Sequence, residues 1–175
     1  MTETLLKLIS FGGLILHACI FIALVFYYTG FKKEVVNILG KRGMLLAFLL
    51  SLGAMMGSLY FSEVAQLEPC ILCWYQRIFS YSSVFLLGFA LIKKDNNIIP
   101  YVIFLNFIGG IIASYHVLIE GEGNDTLFCG LTEGVSCTET YYVHFGYITI
   151  PILSLTIFIS TLLLLFLKDK YVKNS

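Results

Sequence analysis

Two cysteines stand three positions apart in "EPCILCWYQR", residues 68–77, and Arg77 follows the second by four. In this spacing Cys70 and Cys73 suit three kinds of chemistry: a zinc clip, a static staple or thiol–disulfide exchange. A disulfide across a CxxC closes a very small ring and constrains little unfolded chain, so it is better fitted to exchange than to stapling. Pro69 suits a helix start, which would place Cys70 to Cys73 in a first turn, where the helix N-terminus stabilises a thiolate. Arg77 would then share a face with Cys73, and a fixed cation lowers a thiol pKa. A second pair, Cys129 and Cys137, lies in an acidic segment, while Cys19 stands alone in an apolar run and is expected to serve packing.

The elements that must hold these thiols are membrane spans. The chain has 175 residues, 58% hydrophobic and 13% charged, with a mean hydropathy of +0.88, far from a soluble domain. Five apolar stretches are long enough to cross a bilayer: Leu5 to Tyr28, Met44 to Phe61, Trp74 to Ile92, Ile98 to Ile119 and Ile148 to Leu167. The longest remainder, Glu120 to Tyr147, is too short and polar to bury a core of its own. Lys32, Lys33, Lys41 and Arg42 follow the first span, Lys93 and Lys94 the third, and Lys168, Lys170 and Lys173 the fifth. The segments Ser62 to Pro69 and Glu120 to Tyr147 hold no Lys or Arg. This asymmetry predicts an outside N-terminus and a cytoplasmic C-terminus, with all four paired cysteines on the outer side. The basic cluster after the first span is the reverse of a secretory signal, so that span is expected to be retained, and "LHAC" at 16–19 is not expected to be a lipidation site.

Outside the membrane, disulfides persist more readily than thiolate zinc sites, and the second pair is not a CxxC, so no metal site is expected. An arginine one turn inside a span is costly and needs either snorkelling or an anionic ligand. A thiol pair at the membrane boundary could be reoxidised by a lipid-soluble quinone, with Arg77 stabilising the reduced anion. The loop pair would meet soluble proteins, which makes a two-pair electron relay. Trp74, Tyr75, Phe79 and Tyr81 read as an interfacial aromatic belt.

At these residues the sequence resembles the DsbB and BdbC disulfide-bond formation proteins. "PCILCWYQR" is similar to that family's Pro-Cys-x-x-Cys with a following arginine, and "CTETYYVHFGYITIPILSL" resembles the segment leading from its last cysteine into its last helix. The resemblance covers about Gly43 to Leu167. It implies an all-α integral membrane protein with a four-helix bundle of DsbB type; the first span, Leu5 to Tyr28, has no counterpart in that core and stands as one additional N-terminal transmembrane helix. The implied division is 1–42 for the extra helix and linker and 43–175 for the redox domain. The implied activity is a membrane thiol:quinone oxidoreductase that reoxidises a soluble, extracytoplasmic, DsbA-like thioredoxin-fold protein and passes electrons to ubiquinone or menaquinone in a prokaryotic cytoplasmic membrane. Cys70 and Cys73 would be the quinone-linked pair, with Cys73 nearest the quinone and Arg77 in its site. Cys129 and Cys137 would be the shuttle pair, with Cys129 attacking the partner.

His116, near the outer end of the fourth span, could line the quinone pocket; His144 reads as a solvated loop residue. His17 and Asn106, inside spans, are expected to be satisfied by helix contacts. Gly53 and Gly57, in a GxxxG spacing, are expected to pack helices within the chain, as are Gly109, Gly110, Ala113 and Ser114. Two other classes stay open. A transmembrane thiol reductase or vitamin K epoxide reductase-like enzyme would need inner-side cysteines, and this topology has none. A non-catalytic scaffold would use the outer cysteines as staples or zinc ligands. No nucleic-acid partner is expected.

Overall fold

A computed structural model describes residues 2–122, 136–138 and 147–174. Helix α1 spans Thr2–Tyr28, α2 Lys32–Leu59, α3 Ile71–Lys93, α4 Ile99–Glu122 and α5 Ile150–Asn174. Helices are the expected solution in lipid, because they satisfy every backbone polar group internally. Side chains follow the same logic. Asn106 donates to Ser83 Oγ and to the Val102 carbonyl, both at 2.8 Å. Ser82 and Ser83 bond back to the carbonyls one turn before them. Phe85, Phe89, Tyr101, Phe104, Phe107 and Phe166 face outward, an apolar surface fit for lipid.

Helices α2, α3, α4 and α5 close a ring in that order: α2 packs on α3, α3 on α4, α4 on α5 and α5 on α2. Helix α1 stands outside the ring against α2 and α5. One end of the ring is plugged by Met44, Ala47, Leu87, Ala90, Ile99, Val102 and Leu165. Beside the plug lie the basic residues Lys33, Lys41, Arg42, Lys93 and Lys94. A second buried cluster, Cys70, Leu72, Ile119 and Cys137, sits at the other end.

The four helices long and apolar enough to cross a membrane are α1, α2, α4 and α5 among the described residues. Helix α3 falls short because Gln76, Arg77, Ser80, Ser82 and Ser83 lower its hydropathy; Gln76 and Ser83 are buried against the bundle rather than shown to lipid. Helix α2 begins at Lys32, well before the apolar stretch. The basic segment expected as a linker is helical, since its Lys, Glu, Val and Ile residues tolerate a helix and Glu34 sits favourably in the first turn. It runs unbroken through residue 43.

The glycines divide into two groups. A Cβ at Gly43 would stand 2.8 Å from the Leu164 carbonyl oxygen, and one at Gly40 2.9 Å from that of Leu167. These two glycines let the α2 and α5 backbones touch. Gly109 likewise seats the Phe158 ring. The expectation for Gly53 and Gly57 is corrected: a Cβ at either meets nothing within 4 Å. They face a cavity instead of a helix. Gly43→Leu is therefore expected to cost about 1–3 kcal/mol and lower the thermal midpoint in detergent, whereas Gly53→Leu leaves the midpoint unchanged. Equal midpoints for the two variants would refute this close packing.

Candidate active site

The chain enters α3 through Pro69, with Cys70 in an extended conformation (ψ 168°) as the N-cap residue and the first helical residue at Ile71. The helix thus starts one residue later than a start at the cysteine would give, and Cys73 falls in its first turn. The Sγ atoms of Cys70 and Cys73 lie 3.2 Å apart as free thiols. Cys70 is buried and Cys73 partly exposed.

Helix α4 brings His116, only 4% exposed, to this pair, with Nε2 at 3.7 Å from Cys70 Sγ. The other ring nitrogen, Nδ1, lies 3.0 Å from Gln76 Nε2, and Gln76 Oε1 accepts a hydrogen bond of 2.6 Å from Ser154 Oγ on α5. This chain fixes proton positions. The Gln76 amide nitrogen can only donate, so Nδ1 accepts, the neutral ring carries its proton on Nε2, and that proton points at Cys70. Cys70 sulfur then accepts from His116, and towards Cys73 it donates as a thiol and accepts as a thiolate. The hydrogen bond from Cys73 is the largest cause holding the Cys70 thiol far below the ordinary thiol range. Burial opposes it, and His116 contributes to the lowering through its hydrogen bond.

Arg77, one turn beyond Cys73, donates to the Ser58 carbonyl at 3.2 Å, and its guanidinium lies 5.1 Å over the Trp74 ring. Ser58 lies in the last turn of α2, which widens into a π-helical turn, Tyr60–Val64, an irregularity common at functional sites. Arg77 also lines a cavity of about 530 Å³, together with Cys70, Cys73, His116 and Cys137. Cys137 is disulfide-bonded and belongs to the same buried cluster as Cys70. Cys70, Cys73 and His116 place three donor atoms within 4.8 Å of one another.

Cys70, Cys73, Arg77, His116 and Cys137 thus meet around one cavity, while Cys129 and His144 lie outside the described residues. Cys19 is exposed on α1 and borders the cavity rather than filling a core. Trp74 and Tyr75 are exposed, as a belt requires, but Tyr81 lines the cavity, and its hydroxyl is buried with no partner among the described residues. His17 meets Thr156 through Nε2 at 2.7 Å, while its Nδ1 is buried without a partner among the described residues; Asn106 is satisfied across helices as expected. Sequence reasoning missed Gln76, Ser154 and Glu120, which takes a 2.6 Å hydrogen bond from Thr149 at the cavity edge. The available signal was a glutamine inside a span, beside the arginine that was noticed.

Residues 40–168 match the family described as "Disulfide bond formation protein DsbB". The chain belongs to the DsbB family. A SPbeta prophage-derived disulfide bond formation protein B of Bacillus subtilis is 43% identical over 114 residues, covering 65% of this chain and 76% of the relative. A probable disulfide formation protein C 2 of Bacillus anthracis is 38% identical over 134 residues, 76% of this chain and 94% of the relative. The disulfide bond formation protein C of Bacillus subtilis is 41% identical over 113 residues, 65% and 82% respectively. No solved structure gives a significant match. Membership makes this DsbB-family chain a multi-pass membrane oxidoreductase of disulfide formation.

Because two donors converge on Cys70, its alkylation in the reduced protein is expected to reach half-maximal rate well below the ordinary thiol pKa. Cys73→Ala should move that midpoint up, and His116→Ala or Gln76→Leu should move it up by less. Mass-spectrometric alkylation profiles across pH measure this; a midpoint that stays put in all three variants would sink the donor account.

Proposed function

We propose that the protein is a thiol:quinone oxidoreductase that reoxidises an extracytoplasmic, DsbA-like thioredoxin-fold protein and passes the electrons to ubiquinone or menaquinone, supporting disulfide formation in exported proteins. The observation that carries this reading is the close Cys70–Cys73 pair at the end of an apolar cavity that Arg77 and the disulfide-bonded Cys137 share. The cavity fits such a ligand. Its volume lies within the roughly 300–1,000 Å³ of organic-ligand sites, and Gln76, Arg77 and His116 supply polar groups to its lining beside the thiols. The basic residues at the plugged end support a cytoplasmic placement of that end, with five spans, an outside N-terminus and the cysteines facing the periplasm or cell exterior.

The exchange steps follow from placement. The partner's dithiol reduces the shuttle disulfide of Cys129 and Cys137 and becomes a disulfide itself. A shuttle thiolate then attacks an oxidised Cys70–Cys73 pair. Attack at Cys70, which packs in the cluster with Cys137, breaks the Cys70–Cys73 bond and leaves Cys73 beside Arg77. The second shuttle thiol closes the shuttle disulfide and expels Cys70. A thiol held at low pKa is a fast leaving group, so the His116 and Cys73 donors speed this release. A bound quinone supplies a two-electron, two-proton acceptor for the resulting dithiol, which loses two protons and two electrons and returns to a disulfide. Arg77 holds positive charge near Cys73, and His116 can move a proton at Nε2.

In proteoliposomes with quinone, the protein is expected to oxidise a reduced thioredoxin-fold dithiol. A Cys70→Ser, Cys73→Ser double variant should fall to the protein-free rate, and Cys137→Ser should accumulate a mixed disulfide with the partner. Wild-type turnover by the double variant would overturn the proposal.

A further inference from the structure

The cavity does not stop at the thiols. It continues from Cys73 and Arg77 along Gly12 and Leu16 of α1 and Gly53, Ala54 and Gly57 of α2. Small residues in spans ordinarily bring helices together, yet a Cβ at Gly12, Gly53 or Gly57 would meet nothing within 4 Å. Helix α1 is held from its other side. Gly13 seats the Leu153 side chain of α5, and His17 reaches Thr156 of α5. So α1 is fastened to α5 and stands off α2 at these glycines, leaving an apolar slot continuous with the redox end. The ring α2–α5 is closed without α1, and α1 lies outside the residues matched by the family. Closing the bundle therefore does not explain α1. An unfilled slot forfeits dispersion contacts along its whole lining, so an occupant of matching length is favoured.

We propose that α1 and the glycine face of α2 form a slot for the isoprenoid tail of the quinone, and that α1 thereby sets the tail length this protein prefers. The inference rests on the quinone reading above. A tail has the right chemistry: it is apolar, flexible and covalently continuous with a ring placed near Cys73 and Arg77. Bulk added at Gly12 or Gly53 enters the slot without touching the thiols or the packed faces of the bundle.

Trp74 is the sole tryptophan and lies beside Cys73 under Arg77, so quenching of its fluorescence reports ring binding independently of turnover. Full-length protein in lipid nanodiscs is titrated with quinones carrying one or four isoprene units. Wild type is expected to bind the four-unit quinone more tightly. Gly12→Leu and Gly53→Leu, with Ala54→Leu as a further variant, should weaken four-unit binding by at least about tenfold and leave one-unit binding unchanged. Circular dichroism and thermal midpoints identify any variant that has lost its fold, and the remaining variants decide. Equal weakening of both quinones, or no tail preference in wild type, overturns the slot and assigns it to a lipid acyl chain while the quinone reading stands. Absence of quenching by either quinone overturns the quinone reading itself, and the slot proposal with it.

Discussion

A hydrogen-bond chain across three helices ties the reactive end of this protein to its fold. Ser154 on α5, Gln76 on α3 and His116 on α4 are joined in sequence, and the last proton points at Cys70. In a medium without water each of these groups would be costly alone. Together they satisfy one another, and their shared solution fixes the spacing of the helices around the thiols. The same requirement explains why α3 can carry several polar residues and still be central: Gln76 and Ser83 turn inward, where partners wait, while Trp74, Tyr75, Phe85 and Phe89 turn outward.

The ends of the bundle are built on opposite principles. At the basic end, backbone meets backbone through Gly40 and Gly43, and an apolar plug fills the ring. At the thiol end a π-helical turn, an extended N-cap and a cavity replace close packing. Rigidity at one end and open volume at the other suit a site that must admit ligands while holding sulfur atoms in reach of each other.

The spans were legible because hydropathy over a bilayer's width is a strong signal, and the pairing of chemistry with Cys70, Cys73 and Arg77 was legible because those residues fall within the cap and first two turns of one helix. Other features were hidden for identifiable reasons. The helical stretch before Gly43 was read as a linker since polarity was taken for irregularity, though nothing in it breaks a helix. The Gln76–His116 and Ser154–Gln76 contacts join residues 40 and 78 positions apart, and spacing along one helix says nothing about such pairs. Gly53 and Gly57 carry a pattern that means contact in many bundles; here the neighbouring helix stands off, which depends on where α1 is anchored and not on α2 itself.

The plug of Met44, Ala47, Leu87, Ala90, Ile99, Val102 and Leu165 has an electrical consequence. It is a layer of hydrocarbon with no titratable side chain and no cysteine, about one helical turn thick, between the sulfur atoms and the lysine-bearing end. Neither thiolate nor proton has a stepping stone through it, so the molecule acts as an insulator along its own axis. Sulfur chemistry at one end of the bundle is thereby kept electrically apart from whatever meets the other end.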